Sequence, residues 1–247
     1  MRIGLISDIH GNFTALEAVL ANMNEHPVDL LICLGDVATI GPQPKQVLDT
    51  LKGLDCTFIM GNHDSTLLDM SKIRHYQIGP NLTATIEWCA QKLDSSDLDF
   101  LRSFKPYVEI PLENNLSLLC YHGSPLSNTD QVLATTTVEK LDKQFAGHHN
   151  HFLAGGHTHI QMLRQHESRL IINPGSVGSP FKTAYQAGIR PVLLPWAEYG
   201  ILEYKDGAMS VDLRRVPFDM AVYTKMLKES DMPSRDWRLE MYEQSPK

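Results

Sequence analysis

The chain has 247 residues, 43% of them apolar and 21% charged, which suits one large soluble α/β domain. No apolar run approaches the roughly 20 residues that span a bilayer. Asp8 and His10 interrupt the apolar N-terminus before it could act as a secretory core, so a membrane role is excluded and the cytoplasm is the expected compartment. A formal net charge of −7 offers no broad attraction to nucleic acid, so extended nucleic-acid binding is not expected either. Cys33, Cys56, Cys89 and Cys120 form no C-x-x-C pair, and Cys33 and Cys120 fall inside predicted strands. They read as buried thiols in a reducing compartment rather than as a disulfide or zinc framework.

In chain order, residues 2–7 read as a buried strand. Asn12 or Thr14 caps a helix over 13–24 with Phe13, Leu16, Val19, Leu20 and Met23 on one face, and 29–34 returns as a strand. This is a βαβ unit with parallel strands. Gly41-Pro42-Gln43-Pro44 turns into a helix at 44–52, and 56–60 is the third strand. Helical patterns at 81–93 and 95–103 lead to a strand-rich half: 107–110, 115–121, 151–155, 160–165, 169–173, 199–204 and 208–215, with a helix near 137–146. Asn114-Asn115 and Asp206-Gly207 signal hairpin turns. An alternating half followed by a mostly antiparallel half predicts two sheets packed face to face with helices outside. Residues 179–196 read as a long loop near the site. One domain over 1–232 is expected, with the polar 233–247 as a loose or docking tail carrying Trp237.

Five apolar runs each end in residues that bind divalent metal or phosphate. Residues 3–7 run into Asp8 and His10; 30–34 into Gly35-Asp36; 57–60 into Gly61-Asn62-His63-Asp64; 116–121 into His122; and 152–154 into Gly155-Gly156-His157-Thr158-His159. Ligand sites in open α/β sheets form beyond the carboxyl ends of the strands, so these runs can aim seven ligands at one point: Asp8, His10, Asp36, Asn62, His122, His157 and His159. Carboxylate, amide and imidazole donors without thiolate suit two divalent ions of Mn, Fe, Co, Ni or Zn, which together can stabilise charge and activate water at a phosphate ester. Gly35, Gly61 and Gly156 are expected to allow sharp turns with φ > 0 at the strand ends. His157 and His159, at i and i+2, face the same side of an extended segment. His148, His149 and His151 read as a solvated turn, and His26, His75 and His166 as surface or helix residues.

These ordered motifs resemble those of calcineurin-like metallophosphoesterases over residues 8 to about 178. His122-Gly123-Ser124-Pro125 and Asn173-Pro174-Gly175-Ser176-Val177-Gly178 resemble the small bacterial and archaeal phosphodiesterase-like branch. The resemblance implies a four-layer α/β/β/α sandwich of two mixed β-sheets flanked by helices. It also implies that Asp8, His10 and His159 hold one metal, Asn62, His122 and His157 the other, and Asp36 bridges them. His63 is then the residue that stabilises the transition state or protonates the leaving oxygen, oriented by Asp64. The implied reaction is in-line attack on a small phosphodiester or nucleotide by a water shared between the ions; Asn173-Pro174-Gly175-Ser176 is implied to be structural, with phosphate contact as a second role. A phosphomonoesterase or protein phosphatase, and a binding scaffold on the same fold, are the alternatives.

Two departures bear on the substrate. Protein phosphatases of the superfamily carry Asp-Arg-Gly where this chain has Thr39-Ile40-Gly41. Many relatives continue after Gly178 with a Pro-Arg stretch, where this chain reads Ser179-Pro180-Phe181-Lys182; Lys182 and Arg190 are the candidates to take over phosphate contact.

Overall fold

The computed structural model describes residues 1–186 and 188–243. The first half follows the expected alternation. β1(Arg2–Ile6), α1(Phe13–Asn24), β2(Leu30–Cys33), α2(Pro44–Lys52) and β3(Cys56–Phe58) form a parallel unit, with Ile3 opposite Leu30 and Leu31 opposite Cys56. Asn12 Oδ1 accepts the Ala15 amide at 3.0 Å and starts α1, while Pro44 opens α2, where its missing N–H costs nothing. α3(Asn62–Leu68) follows β3 directly, a helix that the apolar pattern did not announce. α4(Thr83–Gln91) and α5(Ser95–Arg102) complete the half.

The second half differs from expectation in its pairing. β5(Ser117–Tyr121), β6(Phe152–Ala154) and β8(Arg169–Asn173) are parallel to one another, and only the edges β4(Tyr107–Pro111) and β7(Met162–His166) run antiparallel. The two longest strands, β9(Trp196–Lys205) and β10(Ala208–Pro217), leave this sheet and join the first, giving the orders β10-β9-β1-β2-β3 and β4-β5-β6-β8-β7. β9 pairs with β1 across some two hundred residues of sequence, a choice that local periodicity does not encode. Both expected turns are present: Asp206 and Gly207 have φ of 51° and 83°, and Asn114 and Asn115 have 59° and 60°, the left-handed pair of a type I′ turn.

Side-chain alternation along the strands sets the layers. Ile3 and Leu5 of β1 and Ile32 of β2 meet Leu118, Cys120, Ala154 and Ile172 between the sheets. Ile6 and Cys33 face the other way, against Leu16, Val19, Val47 and Leu48 of α1 and α2. Leu119, Tyr121, Leu153 and Ile171 cover the far face of the second sheet beneath α6(Val138–Gln144). The result is the α/β/β/α sandwich of two mixed five-stranded sheets. α7(Met220–Glu229) and α8(Arg235–Glu243) follow, and Arg238 of α8 donates to the Gly178 carbonyl. His166, expected on the surface, is 3% exposed and meets Asp142 at 3.0 Å. No helix among the described residues is long and apolar enough to cross a membrane.

The segment after β8 ties the two halves together. Val177 and Gly178 donate backbone N–H groups to the Ser7 and Asp8 carbonyls, and Ser176 Oγ donates to the Asp8 carbonyl at 2.7 Å. A Cβ on Gly178 would overlap the Ile9 carbonyl oxygen. Gly178→Ala is therefore expected to destabilise the chain by about 2–3 kcal/mol in urea unfolding. Gly53→Ala, whose Cβ would meet only the Thr50 carbonyl at 3.4 Å, should stay within about 0.5 kcal/mol of wild type.

Candidate metal centre

The five strand ends converge. Asp8 and His10 follow β1, Asp36 follows β2, Asn62 and His63 open α3 after β3, His122 follows β5, and His157 and His159 follow β6. Asp8, His10 and His159 present ligand atoms within 4.8 Å of one another, as do Asp36, His122 and His157. Asp36 joins the groups, its Oδ2 lying 3.3 Å from His122 Nε2 and 3.9 Å from His10 Nε2. Asp8 Oδ1 lies 3.2, 3.8 and 4.0 Å from Nε2 of His159, His10 and His122. Asn62 Nδ2 donates to the Tyr76 carbonyl at 3.0 Å, which turns its Oδ1 to 3.1 Å from His122 Nε2.

The backbone reaches this geometry at a conformational cost borne by the ligands themselves. Gly35 has the expected positive φ, +102°, but Gly61 is at −80° and Gly156 is not in the left-handed region. The left-handed positions are Asp8, His10, Asp36, His157 and His159, with φ between 48° and 68°. Non-glycine residues adopt that region rarely, and they cluster where function over-determines the backbone. Gly61 and Gly156 are required for close approach instead: a Cβ would overlap Asp36 Oδ1 at the first and Ser7 Oγ at the second.

The donor set fits divalent metal. Asp8 and Asp36 are at most 1% exposed, yet no Lys or Arg nitrogen lies within 4 Å of either among the described residues. Two carboxylates desolvated in this way require a cation. Asp8 Oδ1 is buried without a hydrogen-bond donor. His122 Nδ1–H donates to the Leu34 carbonyl at 2.6 Å and His159 Nδ1–H to the Ser179 carbonyl at 2.7 Å, which leaves both Nε2 lone pairs facing the centre. His10 Nε2 lies only 3.1 Å from His159 Nε2. Burial would raise the Asp8 carboxyl, but His159 and His122 hold it below the usual range, and His122 and His63 do the same for Asp36. Burial, reinforced by neighbouring imidazoles, holds His10 well below its ordinary value and takes His157 down to about 3. Burial also opposes charge on His122, yet Asp36 and Asp8 outweigh it and raise the imidazole to about 10, so a metal here competes with that proton.

Around the ligands lies a supporting layer. Ser7 Oγ and the His157 amide donate to Asp8 Oδ2 at 2.6 and 3.0 Å. Asp64 accepts the Asp36, Val37 and Gly61 amides at 2.7, 2.9 and 3.0 Å, pinning the β2 loop to the start of α3. Burial and then the Asp36 charge push the Asp64 carboxyl up to about 7 against those three amides. The partner of His63 Nδ1 is Thr39 rather than Asp64: Thr39 Oγ1 lies 3.0 Å from it and 3.2 Å from His10 Nδ1. If His10 Nε2 ligates a metal, its Nδ1–H would donate to Thr39 and the hydroxyl to His63 Nδ1, which would leave the His63 proton on Nε2. Thr39, which registered in the sequence only as a departure from Asp-Arg-Gly, thus couples His63 to His10.

His10, Asp36, Asn62, His157 and His159 floor a cavity of about 490 Å³. Its wall includes Ile40, Leu82, Phe181 and Ile189, the polar Gln77, Asn81, Thr85 and Gln131, and Met232, Trp237, Arg238 and Met241 of the C-terminal segment. Phe181 stacks on His159 with ring centroids 4.3 Å apart. Of the two candidate phosphate contacts, Arg190 borders the cavity but is paired with Glu240, and Lys182 does not line it. Asn173 and Ser176 are structural, binding Gly156, Thr158 and the Asp8 carbonyl, and neither faces the cavity. His148 packs on Tyr107 near Glu109, apart from the centre. The contributions of Trp237 and Arg238 were not legible in the sequence, because nothing local links residues 237–238 to the strand ends.

A model of the calcineurin-like phosphoesterase superfamily domain matches residues 1–190. An uncharacterised protein of Methanocaldococcus jannaschii is 26% identical over 242 residues, 92% of each chain. A symmetrical bis(5'-nucleosyl)-tetraphosphatase of Hamiltonella defensa is 30% identical over 147 residues, 58% of this chain and 51% of that protein. The crystal structure of a metallophosphoesterase from Sphaerobacter thermophilus, 24% identical, superposes with a TM-score of 0.72 over 98% of both chains.

Removing the Asp64 acceptor strands three buried amides. Asp64→Ala should lower unfolding stability by about 3 kcal/mol or more, read by urea denaturation, while Asp64→Asn, which keeps one acceptor oxygen, should lose less.

Proposed function

The chain belongs to the calcineurin-like phosphoesterase superfamily, and we propose that it is a dinuclear metal-dependent hydrolase of a small phosphodiester or nucleotide-type ester. The observation that carries this reading is the pair of buried carboxylates, Asp8 and Asp36, ringed by imidazole nitrogens beneath a cavity that Asp36 lines, with no Lys or Arg nitrogen within 4 Å of either among the described residues. In the proposed assignment Asp8, His10 and His159 hold one ion, Asn62, His122 and His157 hold the other, and Asp36 serves both. When bound, the ions supply charge neutralisation at the phosphoryl group and a water acidic enough to act as nucleophile.

The side chains do the rest. The carbonyl-tethered Nδ1 atoms of His122 and His159 keep their rings aimed, so the ligand geometry costs no reorganisation when substrate arrives. His63 is not a ligand in this assignment. Its ring stands 4.9 Å from that of His10, edge to face, and borders the cavity, where Nε2–H can donate to a phosphoryl or leaving oxygen. Burial lowers its pKa, so the ring is neutral and acts as a hydrogen-bond donor. Phe181 and the apolar residues of the wall offer the departing group a surface to pack on.

Purified chain reconstituted with Mn²⁺ is expected to bind two ions per chain and to release p-nitrophenol from bis-p-nitrophenyl phosphate. Chelation should abolish the activity and Mn²⁺ should restore it. Asp36→Asn should lower kcat/KM at least about 100-fold, no less than the loss typical of outer-sphere partners. A metal-loaded chain that turned over no phosphoester would refute the reading. His63→Asn should lower kcat about 100-fold or more with metal content intact, as measured by steady-state kinetics beside metal analysis. The likeness to the tetraphosphatase favours dinucleoside polyphosphates as a second reading; comparing them with diesters at equal metal loading separates the two.

A further inference from the structure

Arg238 sits on α8 and is 3% exposed. Its Nε donates to the Tyr223 hydroxyl at 3.2 Å, and its Nη2 donates to the Gly178 carbonyl and Ser179 Oγ at 3.1 and 2.6 Å. All three acceptors are neutral, and no carboxylate pairs with the guanidinium among the described residues. Nη1, with two of the five N–H donors of the side chain, has no partner among those residues. The side chain nevertheless borders the cavity floored by the metal-binding set.

Burying a guanidinium without an anion is costly. Fastening α8 to the Gly178–Ser179 turn requires donors, not a charge. What the charge faces is the cavity. Arg190, the other arginine of the wall, is held by Glu240, so Arg238 is the arginine there that is free of a carboxylate among the described residues. Beside it stands Trp237, half-buried, its indole N–H without a partner among the described residues, with Leu82, Ile189, Met232 and Met241 completing an apolar wall.

We propose that Arg238 binds an anionic oxygen of the substrate beside the metal centre, while the Trp237 wall receives a compact apolar organic group. The substrate class is then a single-phosphorus ester of an apolar or aryl alcohol. Among the described residues the wall holds one arginine free of a carboxylate, enough for a single phosphoryl group. The assignment rests on the phosphoesterase reading above. Arg238 also touches Ser179, whose carbonyl fixes His159, so a purely positioning role has to be separated from substrate contact.

Calorimetric titration of phenylphosphonate, a non-hydrolysable aryl phosphoryl anion, into the Mn²⁺-reconstituted full chain tests this without turnover. Arg238→Gln should weaken binding about 10- to 100-fold with metal content unchanged, in line with a charge-assisted hydrogen bond, and Arg238→Lys should weaken it less. Unchanged affinity at full metal content overturns the proposal, as does a loss of metal with unchanged affinity in the chains still loaded, which is the signature of a strut. If Arg238→Gln fails to fold, Arg238→Lys decides: affinity at least about threefold weaker supports the fork contact, and no change overturns it. Trp237→Ala should weaken phenylphosphonate but not inorganic phosphate; equal losses overturn the apolar half. Phenylphosphonate binding through Arg238 without turnover of any ester would count against the proposed reaction and for Arg238, whereas normal turnover with unaltered binding in Arg238→Gln would count against Arg238 alone.

Discussion

Two negative charges, on Asp8 and Asp36, lie buried at the carboxyl edge of the first sheet with no lysine or arginine nitrogen within 4 Å among the described residues. Most of the surrounding structure answers that constraint. Imidazoles close around the carboxylates, two of them turned by carbonyl acceptors so that their lone pairs face inward. The resulting set of anionic and neutral donors has no low-energy occupant other than a cation, and desolvation strengthens its hold on one. The chemistry of the cavity follows from carboxylate charge that the fold buries against imidazoles alone, where a metal competes with the His122 proton.

Holding such a cluster together strains the backbone, and the sandwich absorbs the strain. Five ligand residues occupy the left-handed region. Each follows a strand paired on both sides, and the segment after β8 clamps the β1 loop through the Ser7 and Asp8 carbonyls. The first sheet carries Asp8, His10, Asp36 and Asn62, and the second carries His122, His157 and His159, so the inter-sheet core of Ile3, Leu5, Ile32, Leu118, Cys120, Ala154 and Ile172 sets the distance between the two halves of the centre. A close-packed core is little compressible, which makes it a suitable spacer.

The outer wall of the cavity is built by other means. It comes from Phe181 and Ile189 of the 179–196 segment and from α8, which Arg238 fastens to the Gly178–Ser179 turn. Thr39 connects His10 with His63 where a protein phosphatase would place an aspartate, so the departures from the family pattern alter the surroundings of the reacting group and leave the metal-binding set intact.

The convergence of the candidate metal-binding residues was legible from residues 8–159 alone, since a strand end projects its following side chains in one direction and a parallel sheet brings such ends to one edge. The βαβ half was equally legible, because its apolar periods are local. The partner of β9, the helix at 62–68 and the burial of His166 were not, since each depends on contacts distant in sequence. The expectation of positive φ at Gly61 and Gly156 failed for a related reason: glycine reports either unusual dihedrals or close approach, and sequence does not distinguish them. The sequence by itself therefore determined the fold class and the donors of the centre, through local periodicity and residue chemistry. Only the tertiary structure decided which residues surround those donors and which wall borders the cavity, because Thr39, Asp64, Trp237 and Arg238 act through neighbours that only the packing of the two sheets and the last helix brings within reach.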